Sequence, residues 1–202
     1  LWIFKFGWNI YPGLSSPVLN INFVFVFKNN GSDGYEQITK LNASDPESFD
    51  FFGWSVAIDG GYIVVGAINE DAFGEISAGS AYVFKNDGAD NFTQLTKLNA
   101  LDVDTYDNFG YSVDISGTYI VIGAYHANPS DAGSVYLFEN DGEDNYTQLT
   151  IITADNTARG DFFGSSAAIS GADIIVGAPG AQLGFGARHP ADHAARGVRD
   201  LF

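Results

Sequence analysis

The sequence predicts an all-β chain built from repeated four-stranded units. Three observations predict it. First, one phrase occurs three times: Asp50-Phe51-Phe52-Gly53-Trp54-Ser55 with Gly66-Ala67, Asp107-Asn108-Phe109-Gly110-Tyr111-Ser112 with Gly123-Ala124, and Asp161-Phe162-Phe163-Gly164-Ser165-Ser166 with Gly177-Ala178-Pro179. The step from Phe-Gly to Gly-Ala is the same each time: Gly53 to Gly66, Gly110 to Gly123, Gly164 to Gly177. Second, the apolar runs between these glycines are short and β-branched, as buried strands are. Third, the interval from Phe27 to Phe52 is repeated from Phe84 to Phe109 and from Phe138 to Phe163. The length difference between copies therefore falls entirely after Gly-Ala, in 68–78 against 125–132. A fixed framework with one variable connection is how a scaffold and its surface loops behave.

Each element follows in turn. The first strand of a unit covers 54–58, with copies at 111–115 and 165–169. The second covers 62–65, with copies at 119–122 and 173–176. Asp59-Gly60, Ser116-Gly117 and Ser170-Gly171 lie between them and predict tight hairpin turns, because glycine accepts positive φ. The third strand, 80–85 and 134–139, alternates Ala81 and Val83 with Tyr82 and Phe84, which predicts two covered faces. An Asn-Asp-Gly turn follows at 86–88 and 140–142. The fourth segment, 92–98, has apolar residues at steps of three (Phe92, Leu95, Leu98), as do Tyr35, Ile38, Leu41 and Tyr146, Leu149, Ile152. A helix shares that spacing. A bulged outer strand is preferred, because the segment is short, threonine-rich and starts just after a turn.

Four strands in each step from Phe27 to Phe84 to Phe138 specify β-propeller blades. The expectation is an incomplete β-propeller: two full blades with a half-blade at each end, forming an open arc. In it the glycines of Gly-Ala let inner strands approach, and the phenylalanine of Phe-Gly wedges between blades. Residues 22–180 form this unit. Residues 1–21 fall outside the repeat, since Phe6-Gly7-Trp8 lies much closer to Phe27 than Gly53 does to Phe84. Residues 181–202 also fall outside it. They hold Arg188, Arg196 and Arg199 with His189 and His193 in a chain otherwise poor in both types, and are expected to be a disordered or artefactual basic tail.

Composition narrows the function classes. A net charge of −16 over 202 residues repels nucleic acid and anionic membrane surfaces. There is no cysteine to form a disulfide, and no apolar run reaches the roughly 18–20 residues of a spanning helix. Methionine is absent and the chain opens at Leu1, so a fragment of a longer protein is expected.

At the Phe-Gly and Gly-Ala-Pro residues the chain resembles the FG-GAP repeats of integrin-α-type β-propellers, over about residues 22–180. The resemblance implies a seven-bladed propeller, extracellular or at the cell surface, used in adhesion or recognition, or placed as an accessory domain beside a catalytic one. Many relatives carry an Asp-rich calcium loop between Phe-Gly and Gly-Ala-Pro. Here that place holds Ile58-Asp59-Gly60-Gly61-Tyr62 and its copies, which have too few carboxylates for the about six to eight oxygens calcium takes. The chain resembles the calcium-loop-free version.

Two acidic groups are candidate sites. Asp45, Glu47 and Asp50 match Asp102, Asp104 and Asp107, at seven, five and two places before the phenylalanine, and Asp161 keeps the last place. They could hold a weak calcium ion; alternatively, the last aspartate accepts backbone N–H groups and the others are solvated. Asn69-Glu70-Asp71 with Glu75 belongs to the variable connection and reads as surface loop, as does His126. His189 and His193 in the tail lack a metal-site context. Asn30, Asn42, Asn91 and Asn145 open N-glycosylation patterns. No catalytic constellation is expected, and no cofactor apart from that weak calcium.

The expected function is a non-enzymatic recognition or adhesion module with a protein or glycan ligand, completed by further blades of the full-length chain. A scaffold domain of a larger secreted enzyme and a purely structural array are the alternatives. The variable connection after Gly-Ala is the expected contact surface.

Overall fold

A computed structural model describes residues 22–31, 33–127 and 131–181. Phe6-Gly7-Trp8, the histidines and arginines of the tail, and Ser32 lie outside the described residues. Among those described there is no helix, and so none long and apolar enough to cross a membrane.

Among the described residues, twelve strands form four antiparallel sheets. β1 (Val24–Asn29) and β2 (Tyr35–Leu41) pair as the outer half of a first blade. β3 (Phe52–Asp59), β4 (Tyr62–Ala67), β5 (Ser80–Asn86) and β6 (Phe92–Leu98) make the second blade in sequence order. β7 (Ser112–Ser116), β8 (Tyr119–Ala124), β9 (Ser134–Asn140) and β10 (Tyr146–Ile152) make the third. β11 (Ser166–Ser170) and β12 (Asp173–Gly177) are the inner half of a fourth. This is the open, incomplete propeller predicted from the repeat.

The segments with apolar steps of three are strands, not helices. Val83 pairs with Thr96 but Phe84 with Gln94, so Leu95 is an extra residue, a β-bulge. Ile38 and Leu149 are the extra residues of the equivalent pairs. Phe92, Leu95 and Leu98 can therefore share one face, because the bulge turns a period of two into a step of three. The inner hairpins close on Gly60, Gly117 and Gly171 with φ of 56–60°, the positive first position of a II′ turn.

The core lies between blades. Val64, Ala81, Val83 and Leu98 of the second blade pack against Phe109, Ile120, Ile122, Tyr136 and Phe138 of the third. The equivalent layers join the first blade to the second and the third to the fourth. Tyr82 and Val83 are both fully buried, on opposite faces of β5, as the alternation predicts.

Phe52 and Phe109 lie in the core layers between blades, each set edge-on against rings of its own blade. Phe109 packs edge-on to Tyr136 and Phe138 at ring distances of 5.3 and 6.0 Å, and Phe52 repeats this with Tyr82 and Phe84 at 5.5 and 6.0 Å.

Phe-Gly and Gly-Ala belong to different sides of each seam. The Ser55 hydroxyl donates to the Gly110 carbonyl at 2.7 Å, and the Ser112 hydroxyl to that of Gly164 at 2.8 Å. A Cβ on Gly66 would stand 2.0 Å from the Gly110 oxygen, and one on Gly123 2.1 Å from the Gly164 oxygen. Gly-Ala of one blade thus receives Phe-Gly of the next, while the constant spacing belongs to one blade, where the Gly110 N–H donates to the Gly123 carbonyl and the Gly164 N–H to the Gly177 carbonyl, both at 3.1 Å. The seam extends outward where the Phe109 N–H donates to Ala78 and the Phe163 N–H to Ala132, both at 2.8 Å.

Candidate functional site

Antiparallel order places every connection on one of two rims. The turns joining first to second and third to fourth strands share one rim, called here the turn rim. The connections after Gly-Ala and those between blades share the other, the loop rim.

The predicted acidic candidates lie on the loop rim and serve the fold. Oδ2 of Asp50, Asp107 and Asp161 accepts the backbone N–H of the residue three earlier (Glu47, Asp104, Ala158) at 2.7–2.8 Å. Burial pushes the Asp107 carboxyl up to about 6, against its bond from Asp104, and pushes Asp50 upward as well. Asp45 accepts from the Tyr82 hydroxyl at 3.0 Å and pairs with Lys97 at 2.8 Å. Burial alone would raise its pKa, but those two bonds outweigh it and hold the carboxyl low. Asp102 lies near Tyr136, whose hydroxyl is pushed upward by burial and by Asp102 and Asp107. Glu47 and Asp104 take part through their backbone N–H groups. Among the described residues no three acidic or histidine side chains gather as a metal site.

Two sequence expectations need correction. Glu70 is not a surface-loop residue: it is buried, accepts from the Ser80 hydroxyl, and pairs with Lys97 at 2.5 Å. The loop folds back over β5, and the paired lysine is what makes a buried carboxylate tolerable. Its neighbours are also engaged: Asp71 accepts from the Ser77 N–H at 2.8 Å, Glu75 accepts from the Thr105 hydroxyl, and Asn69 accepts from the Asn108 amide at 3.4 Å. His126 is not a plainly exposed loop residue either. It is half-buried, with its ring 4.0 Å from Tyr125 and 5.5 Å from Phe162, and its Nδ1 lies 3.2 Å from Asp131. The amides of Asn91 and Asn145 donate within their own turns, to Asp87 and Asp141.

Sequence reasoning missed an aromatic ladder near the inner strands. Phe51 meets Trp54 at 6.1 Å, Trp54 meets Tyr111 at 5.4 Å, Tyr111 meets Tyr125 at 4.1 Å, and Tyr125 meets Phe162 at 5.8 Å. All five are half-buried. The available signal was the place after Phe-Gly, where Trp54 and Tyr111 are far larger than packing on a crowded axis requires. Phe51, Asn108 and Phe162 occupy one repeat position, with φ of 55–57°. Asparagine tolerates that conformation, whereas phenylalanine is strained in it by about 1–2 kcal/mol. The left-handed backbone puts both phenylalanine rings in the ladder.

The same rim carries exposed apolar side chains. Phe49, Phe73, Ile76, Leu101 and Tyr106 are 54–81% exposed and all lie in loop-rim connections. The Tyr106 N–H donates to the Ile76 carbonyl at 2.8 Å, which places those two side by side across a blade seam. Phe49, Phe73 and Tyr106 again have positive φ.

No curated protein matches the chain. A family model described as FG-GAP repeat matches residues 35–84, 92–138 and 146–189. The first two matches start on the fourth strand of one blade and end in the third strand of the next, so the sequence repeat is offset by one strand from the structural blade. With most of its length matched and Phe-Gly joined to Gly-Ala at the second–third and third–fourth blade seams, the chain belongs to the FG-GAP repeat family.

Proposed function

We propose that this propeller segment is a non-enzymatic recognition module whose loop rim docks an extracellular or cell-surface protein. The observation that carries it is a set of exposed aromatic and aliphatic side chains in the loop-rim connections, three of which, Phe49, Phe73 and Tyr106, stand at strained positive φ. Contiguous apolar groups ringed by polar ones are characteristic of protein interaction surfaces, and backbone strain concentrates at functional positions. The net charge of −16 favours a basic partner surface and a fast, salt-sensitive encounter.

The test is a binding panel of basic extracellular domains together with a glycan array. It would compare the native chain, a loop-rim variant (Phe73→Ser with Tyr106→Ser) and a turn-rim variant (Asp87→Ser with Asp141→Ser). The expected outcome is protein binding that only the loop-rim variant loses. Equal loss in both variants, or binding confined to glycans, contradicts the proposal.

A further inference from the structure

The third blade differs from its copies at the mouth of its inner hairpin. Tyr111 stands just before β7 and Tyr125 just after β8, whereas the equivalent places hold Trp54 and Ile68 in the second blade and Ser165 and Pro179 in the fourth. The Tyr111 N–H donates to the Gly123 carbonyl at 3.0 Å, which ties the two backbones together at that open end. The two rings then meet with centroids 4.1 Å apart at 43°, closer than Trp54 to Tyr111 at 5.4 Å or Tyr125 to Phe162 at 5.8 Å. Among the described residues this is the one ring contact that joins two tyrosines. The phenol ends converge too: the Tyr125 hydroxyl is pushed upward by burial first, and then electrostatically by Tyr111 and Asp131. Packing alone would be served by phenylalanine, which fills the ladder at 51 and 162.

We propose that Tyr111 and Tyr125 form an oxidative cross-linking site, joined ring to ring as a dityrosine by hydrogen peroxide and an enzyme of the peroxidase class. Each phenol gives up one electron and its proton. One hydrogen peroxide takes both electrons and both protons and leaves as two waters. The two phenoxyl radicals form a bond between the ring carbons beside their hydroxyls, and the hydrogens displaced from those carbons return to the oxygens. The product is the chain less two hydrogens. Trp54, in ring contact with Tyr111, extends the path by which an electron leaves the pair.

Holding two reacting groups in contact turns a bimolecular coupling into a unimolecular one. Both rings are half-buried, which lets an electron leave but keeps a second chain's tyrosine away. Tyr35 and Tyr106, 47% and 59% exposed, are by contrast open to coupling between molecules. Tyr62 and Tyr146 are the rival pair, since their hydroxyls also interact, but that of Tyr62 is held by Asp144 at 2.8 Å. In a chain without cysteine, the carbon–carbon bond is a covalent staple that needs no thiol. It closes the mouth of the β7–β8 hairpin and fixes the foot of the loop-rim connection after Gly123-Ala124.

Brief photo-oxidation of the 202-residue chain with ruthenium tris-bipyridyl and persulfate, an outer-sphere one-electron oxidant, tests the site. The 21.6 kDa monomer should lose two hydrogens and gain dityrosine fluorescence, and peptide mapping should join Tyr111 to Tyr125. Hydrogen peroxide with a heme peroxidase should give the same linked peptide. Diluting the chain about tenfold should leave the yield per chain unchanged, as for a reaction within one molecule. Tyr111→Phe and Tyr125→Phe keep both rings in place and should each abolish the intramolecular product, whereas Tyr62→Phe should not. A link that maps to Tyr62 and Tyr146 overturns the proposal, as does a product that survives Tyr125→Phe or a yield that falls with dilution. Oxidised monomer with no tyrosine–tyrosine bond, or a peroxidase product linked only between molecules, overturns it equally.

Discussion

The two rims use their side chains in opposite ways. On the turn rim, polar groups stitch blades together. Asp59 accepts from the Gly117 N–H at 2.7 Å, Ser116 accepts from that of Gly171 at 3.1 Å, and Asp144 receives both Tyr62 and Lys85. The turns satisfy themselves through Asn86, Asp87, Asn140 and Asp141, in the manner of Asx turns. On the loop rim the carboxylates are equally occupied, yet large apolar groups stand out into solvent at positive φ. A rim selected for stability alone would resemble the turn rim. That difference is the basis for proposing the loop rim as the recognition surface, with the framework in the seams beneath both.

The largest expected effect tests the framework. Phe109→Ala should lower unfolding free energy by about 3–5 kcal/mol in urea titration, since it removes a fully buried aromatic between blades. A cost near that of a surface residue would show that the wedge does not hold the seam. Gly66→Ala should cost about 3 kcal/mol, at the upper end of overpacking penalties, because the Gly110 carbonyl is backbone and cannot turn aside. Thermal melts would check it, and an unchanged midpoint would break the account of Gly-Ala.

A smaller effect concerns the loop-rim carboxylates. The Asp107 carboxyl sits at about 6 in the fold, above its ordinary value of 3.8. A raised acid binds its proton more tightly when folded, so its stability contribution is full below about 3.8 and is lost as pH rises through about 6. After allowance for partial solvent screening, that loss is about 1–2 kcal/mol. Asp107→Asn should flatten the slope of stability between those values, as read by urea unfolding at successive pH, while retaining an acceptor for the Asp104 N–H.

Much of the fold was legible because its repeat is a backbone constraint. Gly60, Gly117 and Gly171 mark turns that need positive φ. The constant intervals, Gly53 to Gly66 and Phe27 to Phe52 with their copies, count strand lengths directly. The bulges at Ile38, Leu95 and Leu149 were readable from a step of three in threonine-rich segments. The candidate surface was less legible. Composition shows Glu70 and Asp71 as one acidic run, and only the loop's path over β5 separates a buried, lysine-paired carboxylate from a turn cap. The ladder joins Trp54, Tyr111, Tyr125 and Phe162 across three blades, and no local pattern shows that they meet. Positive φ at phenylalanine is invisible in sequence, since the residue type argues against it.

The claim that loop-rim aromatics are kept at a cost to stability can be measured without any ligand. Phe162→Asn replaces a strained ring by the residue found at the equivalent position 108. There, Asn108 donates to the Ile68 and Ser77 carbonyls at 2.9 and 3.3 Å. The new asparagine should find the equivalent carbonyls of Tyr125 and Asp131. Equilibrium urea unfolding should show a gain of about 1 kcal/mol, because relief of backbone strain exceeds the loss of a half-buried ring. A loss of that size or more would show that Phe162 is there to hold the fold, and would remove the distinction between the rims.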